Sequence, residues 1–580
     1  MRDEPGDGQG FARRRPGLTL TLQVLAPSLV LGVCAVGLLV WPRALVFIAA
    51  ETVAAAMLIR LWAMTVGGSL SQSLYQPLSG IQLSYRVDHL GLFFALTGIA
   101  TGLVLALPWL VHPLARTGRR GAWVLAAQLG MVSTVLAGSL ETLAAAWAMA
   151  VAGLILLALL QRRVAPPIAM DGPTSRYVAI QASAAALLLA GAVAAETSAG
   201  TGAFDSIPVS AFDVRTVLLL GAAPIAALMT VQLLCRALHR PLLASLAGAT
   251  VVVPMSVYVL VRIYDLGGGR LPDSRLNAAL VALGGVTALG FAVASLWAVD
   301  LGAAVARLAQ ASAGITLVAL GAGTGLALAV GILAPISLGL GFAALLTMAQ
   351  AGGGRLPGAA GPLSRPLVGA LVLLALAWTA GLPVGLASIE RLAAVSAGFD
   401  AGGLAAAPTI LAVLALPVML VAAYDCGRFG GGRAPVGEAR TRLFLLGVAL
   451  VVVGSAVGPL QTQAAGLAAA VSRLPAPDLQ SAVGSVRPGA TGSVIATTLI
   501  ALGAIGLAAQ RRFPLSEGFP GARFSLPPRL AVAPGIYGIR FGGAGRRQGG
   551  RIADLVRRHL LVAGILAWGG AAVAAATLLR

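Results

Sequence analysis

The sequence predicts an all-α polytopic membrane protein with about 14–16 transmembrane helices. Three observations predict it. Hydrophobic residues fill 58% of the 580 positions and charged residues only 10%, a balance that soluble domains do not keep. Apolar runs of roughly 20 residues, long enough to cross about 30 Å of hydrocarbon, recur along nearly the whole chain. The roughly ten-residue alternating segments of a transmembrane barrel are absent.

Residues 1–17, MRDEPGDGQGFARRRPG, form a polar start read as a retained, disordered tail. The apolar runs begin near residues 20, 44, 90, 122, 142, 177, 217, 241, 277, 303, 324, 366, 404, 442, 490 and 559. Residues 18–120 hold helices one to three. Within that region Ile81, Leu83, Tyr85 and Val87 alternate with polar residues, a period of two that predicts a strand or hairpin outside the bilayer. Further on come C-terminal helices over 440–510, a basic Pro/Gly-rich loop over 511–556 and a final transmembrane helix over 557–580.

The net charge is +20, and all forty basic residues are arginine. They crowd into short loops, after span three (Arg116, Arg119, Arg120), span five (Arg162, Arg163, Arg176), span thirteen (Arg428, Arg433, Arg440) and span fifteen. Positive-inside topology accounts for that placement without nucleic acid. It puts both termini outside, against the contrary vote of Arg13, Arg14 and Arg15. Cys34, Cys235 and Cys426 are too dispersed for a metal or cluster site, as are the four histidines. GGG at 267–269 and 430–432 follows no strand and makes no phosphate loop. The chain carries no catalytic site of its own, and no cofactor or metal is expected on it.

Three stretches resemble one family. Residues 85–94, YRVDHLGLFF, resemble the opening of the third helix in the antiporter-like, proton-conducting subunits of respiratory NADH–quinone oxidoreductase, membrane hydrogenases and cation/proton antiporters. Residues 137–147, AGSLETLAAAW, are similar to the approach to that family's fifth helix, and 300–314, DLGAAVARLAQASAG, to a run that opens with Asp, an apolar residue, Lys and Arg. The resemblance covers residues 80–425 and implies two inverted five-helix bundles, here 121–265 and 276–425. Each contains a broken helix with ionisable residues at mid-membrane. Pro224 in the seventh span and Pro383 in the twelfth lack the N–H a continuous helix needs, so the breaks are expected there.

In that family the residue after the fifth-helix tryptophan is a glutamate paired with a seventh-helix lysine. Here Trp147 is followed by Ala148, and counting back from Pro241 puts the lysine position at Pro224. The eighth-helix histidine falls at Gly248 or Ala249 and its lysine at Pro254 or Met255. The lysine after Asp300 has become Gly302. The eleventh span, 324–349, has no ionisable side chain. A proton relay needs groups whose pKa burial and partners can bring near neutrality, and none of these five positions supplies one.

Arg391 occupies the position of the family's twelfth-helix lysine, with Glu390 beside it. Helix neighbours point about 100° apart, so they do not face each other, and their place at the end of an apolar run favours interfacial water. Arginine there is a fixed cation or anion ligand, never a proton carrier. Glu141 lies about 10 Å along a helix from Ala148 and reads as a solvated helix-end carboxylate before it reads as a stand-in. Glu51 and Arg60 share span two without pairing; Arg60 can snorkel while Glu51 hydrogen-bonds a neighbouring helix. Asp88, Arg262 and Asp300 fall at span ends, where folding and topology roles suffice, and Trp147 is a packing residue.

Together these readings give an antiporter-like subunit of a respiratory NADH–quinone oxidoreductase or hydrogenase-type complex with its relay largely lost, kept for assembly or sealing. It would sit in a cell membrane, that of a bacterium, among lipid and other membrane subunits of a redox complex. An active proton or cation translocator rerouted through Glu51, Glu141, Glu390 and Arg391 is the first alternative. An unrelated carrier or permease is the second.

Overall fold

Among the described residues eight helices are long and apolar enough to cross a membrane, and a bent pair counted as one span would make nine. They come from a computed structural model that describes residues 18–65, 68–75, 83–111, 118–162, 172–238, 241–296, 301–351, 386–428 and 458–472. The expected starts at residues 366, 442, 490 and 559, together with the tail, the basic loop, Pro383 and Asp300, lie outside the described residues. The other twelve expected starts each fall within a few residues of a helix.

Helices α1 (Leu18–Val40), α2 (Ala44–Met64), α3 (His89–Val111) and α4 (Gly118–Val135) form the first group, with α1 packed on α2 and α4 and α2 on α3. Between α2 and α3, strand β1 (Leu70–Tyr75) pairs antiparallel with β2 (Leu83–Val87), so the alternation at 83–87 is a hairpin strand. Arg86 N–H donates to Leu136 O at 2.8 Å and Gly138 N–H to Ser84 O at 2.8 Å, tying the hairpin to the turn after α4.

The chain continues through α5 (Leu140–Arg162), α6 (Pro173–Ala199), α7 (Val214–Met229), α8 (Val231–Leu238), α9 (Pro241–Ala247) and α10 (Val253–Leu266). Sequence marks the ends of these helices. Pro173 opens α6 and Gly200, at φ 72°, closes it, a left-handed cap for which glycine has no steric cost. Asp213 accepts from Thr216 N–H at 2.7 Å to start α7. Between α9 and α10, residues Gly248–Val252 are π-helical. Pro254 follows and cannot donate to Thr250 O, and the wider turn accommodates that lost bond.

The second bundle is α11 (Ser274–Ser295), α12 (Leu301–Ala322), α13 (Gly325–Ala351), α14 (Leu386–Asp400) and α15 (Gly403–Arg428); α16 (Gly458–Ser472) packs on α13. Helices α10 and α12 are enclosed on nearly all sides, whereas α1, α2, α6 and α11 show a broad face outward. Val33, Val36, Ile59, Leu189 and Val286 are exposed there, as a lipid-facing helix requires.

Close approach of α11 and α12 depends on small residues. A Cβ on Gly284 would lie 2.6 Å from Gly314 O, and one on Gly314 would lie 2.6 Å from Ala288 N. Such seams replace the hydrophobic drive that lipid removes. Gly284→Val should therefore force the two backbones apart and cost about 1–3 kcal/mol or more, read as an earlier unfolding midpoint in a mixed-detergent titration. An unchanged midpoint would mean the helices do not meet there.

Candidate functional site

The bent pair is α7 and α8, which meet at Thr230 with a 51° angle. The break was expected at Pro224, but Pro224 is buried inside α7, which runs on past it to Met229. A membrane helix tolerates proline where its neighbours leave room for the ring and re-satisfy the freed groups. Gly221, Ala222, Ala223, Ala226 and Ala227 are all small.

What opens the helix six residues later is a side chain from another helix. In a continuous helix Gln232 N–H would donate to Leu228 O. Instead Gln232 N–H donates to Gln310 Oε1 at 3.2 Å, and Gln310 Nε2 donates to Leu228 O at 2.8 Å. The carboxamide of Gln310, on α12 and fully buried, thus stands in the gap where one peptide hydrogen bond would be. Thr230 Oγ1 donates to Ala226 O at 2.8 Å and accepts from Gln181 Nε2 of α6 at 2.6 Å. Every one of these groups is neutral. They meet the accounting demand that buried backbone places on a break, and they offer no side chain that titrates near neutral pH.

Two residues beyond Gln310 on α12, Ser312 Oγ accepts from Arg391 of α14 at 2.8 Å. Arg391 is only 7% exposed, so the guanidinium does not face interfacial water as its position near the end of an apolar run had led one to expect. It lies in the α12–α14 interface instead. Glu390 is the preceding residue on α14. A second enclosed cation, Arg307, donates to Ala294 O near the end of α11, a favourable place for positive charge.

The other candidates are scattered. Glu141 begins α5, half-buried, with its carboxylate against Gly202. Ala148 lies on the outer face of α5, so a glutamate restored there would point away from Pro224. Trp147 is fully buried, as a packing residue should be. Glu51 is buried in the α1–α4 group, while Arg60 is exposed. Glu51 thus lies in the α1–α4 group, Glu141 at the start of α5 and Arg391, with Glu390 before it, on α14.

Asp88 and Arg262 do more than mark span ends. Arg262, 2% exposed, donates to Asp88 at 2.6 Å, to Asp265 at 2.7 Å and twice to the Tyr258 hydroxyl, at 2.9 and 3.1 Å. Asp88 also caps α3 by accepting from Gly91 N–H at 2.8 Å. Arg86 continues the cluster to Asp88 at 3.5 Å and Asp205 at 3.0 Å.

No protein-family model matches the chain, and no curated protein matches it. Solved structures do. A chain of the Mrp complex from Dietzia sp. superposes with a TM-score of 0.69 at 20% identity, covering 97% of this chain and 63% of that one. A chain of respiratory complex I from Thermus thermophilus with bound NADH gives 0.63 at 17% identity, covering 80% and 99%. A chain of an archaeal membrane-bound sulfane sulfur reductase gives 0.61 at 15%, also covering 80% and 99%. The fold is the one these chains of the Mrp complex, respiratory complex I and the archaeal respiratory membrane complex share. This chain spans less than two thirds of the length of its Mrp counterpart.

Proposed function

We propose that the chain is an antiporter-like subunit docked in a membrane complex of the respiratory NADH–quinone oxidoreductase or hydrogenase type, where it serves as scaffold and seal and conducts no protons. The break of helix seven carries this reading. The fold keeps the interruption that its relatives share by resemblance, yet holds it with Gln310, Thr230 and Gln181, and there is no lysine anywhere in the chain. Arg391 and Arg307 are permanent charges that cannot hand on a proton. Redox chemistry would reside on partner chains.

Reconstituted alone in liposomes, the chain should dissipate a pH gradient no faster than empty vesicles. Ala148→Glu combined with Pro224→Lys should leave that unchanged, because position 148 faces outward. Saturable proton flux from the unaltered chain would overturn the reading. Native mass spectrometry of the chain taken from its own membranes should find it bound to subunits carrying flavin or iron–sulfur clusters.

A further inference from the structure

A second buried polar site lies apart from the broken helix, inside the α1–α4 group. Glu51 of α2 and Gln128 of α4, both 0% exposed, converge on Gly102 of α3. A Cβ on Gly102 would lie 2.5 Å from Glu51 Oε1 and 2.7 Å from Gln128 Nε2, so only glycine leaves room for the two side chains. Both carboxyl oxygens and both amide heavy atoms are sealed from solvent, and none has a hydrogen-bond partner of ordinary geometry among the described residues. By helical rise Glu51 sits about 10 Å in from the α2 N-terminus, well within the hydrocarbon layer.

A carboxylate there needs a positive partner, because an uncompensated charge in a medium of low dielectric constant is far costlier than a neutral acid. The surrounding helices supply none. Besides Glu51, the charged or titratable side chains on α1–α4 are Cys34, Arg60, His89, Arg119 and Arg120. Arg60 is exposed and about 13 Å further along the α2 axis. His89 begins α3 with its ring against Trp62, and Arg119 and Arg120 begin α4. No described ion pair reaches Glu51. A metal cation is poorly served as well, since Glu51 and Gln128 offer three side-chain oxygens where hard cations take six or more. A proton is the partner that fits: Glu51 as the neutral acid carries no net charge beside the neutral carboxamide of Gln128.

We propose that Glu51, enclosed beside Gln128 and Gly102, is a proton-binding carboxyl site of the N-terminal helices. The inference is independent of the scaffold reading, since a single buried carboxyl can bind a proton without conducting it, which would need further carriers on either side.

Dicyclohexylcarbodiimide tests it on the full chain in lipid nanodiscs. This apolar reagent adds to a protonated carboxyl: the acid's oxygen bonds to the central carbon, the proton moves to a nitrogen, and acyl transfer to nitrogen leaves a stable N-acylurea. Peptide mass mapping at neutral pH should find at least about tenfold more adduct on the buried Glu51 than on the solvent-exposed Asp400. The Glu51 adduct should fall in alkaline buffer and vanish in Glu51→Gln. Because mapping of the unaltered chain identifies the residue directly, a variant that misfolds does not spoil the test. Absence of a Glu51 adduct, while the reagent labels other membrane carboxyls, would overturn the proposal. So would protection of Glu51 by sodium but not by N-methylglucamine at equal ionic strength, which would make the occupant a metal cation.

Discussion

Replacing Gln310 by methionine is expected to destabilise the protein by about 2–6 kcal/mol, although the two side chains have nearly the same length and volume. The substitution deletes both halves of the bridge at once, so Leu228 O and Gln232 N–H lose their partner in an enclosed region. Each orphaned backbone group costs about 1–3 kcal/mol. The only escape is for α7 and α8 to close into one straight helix and remake the direct bond, and the 51° bend packed against α6 and α12 opposes that. The measurement is the unfolding midpoint in a mixed-detergent titration. A midpoint equal to that of the unaltered chain would show that the break is held by something other than Gln310.

Arg262→Met is expected to be at least as damaging, about 3–5 kcal/mol, because it leaves carboxylates behind in an enclosed setting. Arg262 satisfies Asp88, Asp265 and Tyr258 from one planar group. Lysine has a single compact ammonium and cannot reproduce that fork, so Arg262→Lys should recover only part of the loss. Asp88→Asn tests the same contact from the other side and also weakens the cap of α3. In a double-mutant cycle between Arg262→Met and Asp88→Asn, a coupling of about 0.5–3 kcal/mol is expected. Strict additivity would mean that the 2.6 Å contact contributes no energy of its own.

The candidate site was only partly legible in the residues. The family resemblance implies an interrupted seventh helix, and counting back from Pro241 places its missing lysine at Pro224. The interruption is then assigned to Pro224, because proline is the one residue whose backbone chemistry announces a break locally. Gln181, Gln310 and Gln128 had a quieter signal: lone carboxamides inside apolar runs, where a polar side chain is expected to bond across helices. A search confined to groups that titrate passes over them. Arg391 was found by its offset from Pro383, but its burial against Ser312 belongs to the α12–α14 contact. Glu51 was visible as an intramembrane carboxylate, while the glycine that makes room for it lies on a different helix.

What the sequence alone determined is the solvent the chain lives in, the helical state of its spans, the hairpin before α3 and the absence of lysine. These are properties of composition and of windows no longer than one helix, and the cost of exposing peptide groups to hydrocarbon decides them locally. Only the tertiary structure decided that helix seven opens at Thr230, that Ala148 looks outward, that Arg391 is enclosed and that Glu51 meets Gln128. Each depends on a partner on another helix; Gln310 is 78 positions from the amide it receives. Which backbone bond yields is settled by the packing that brings its replacement within reach.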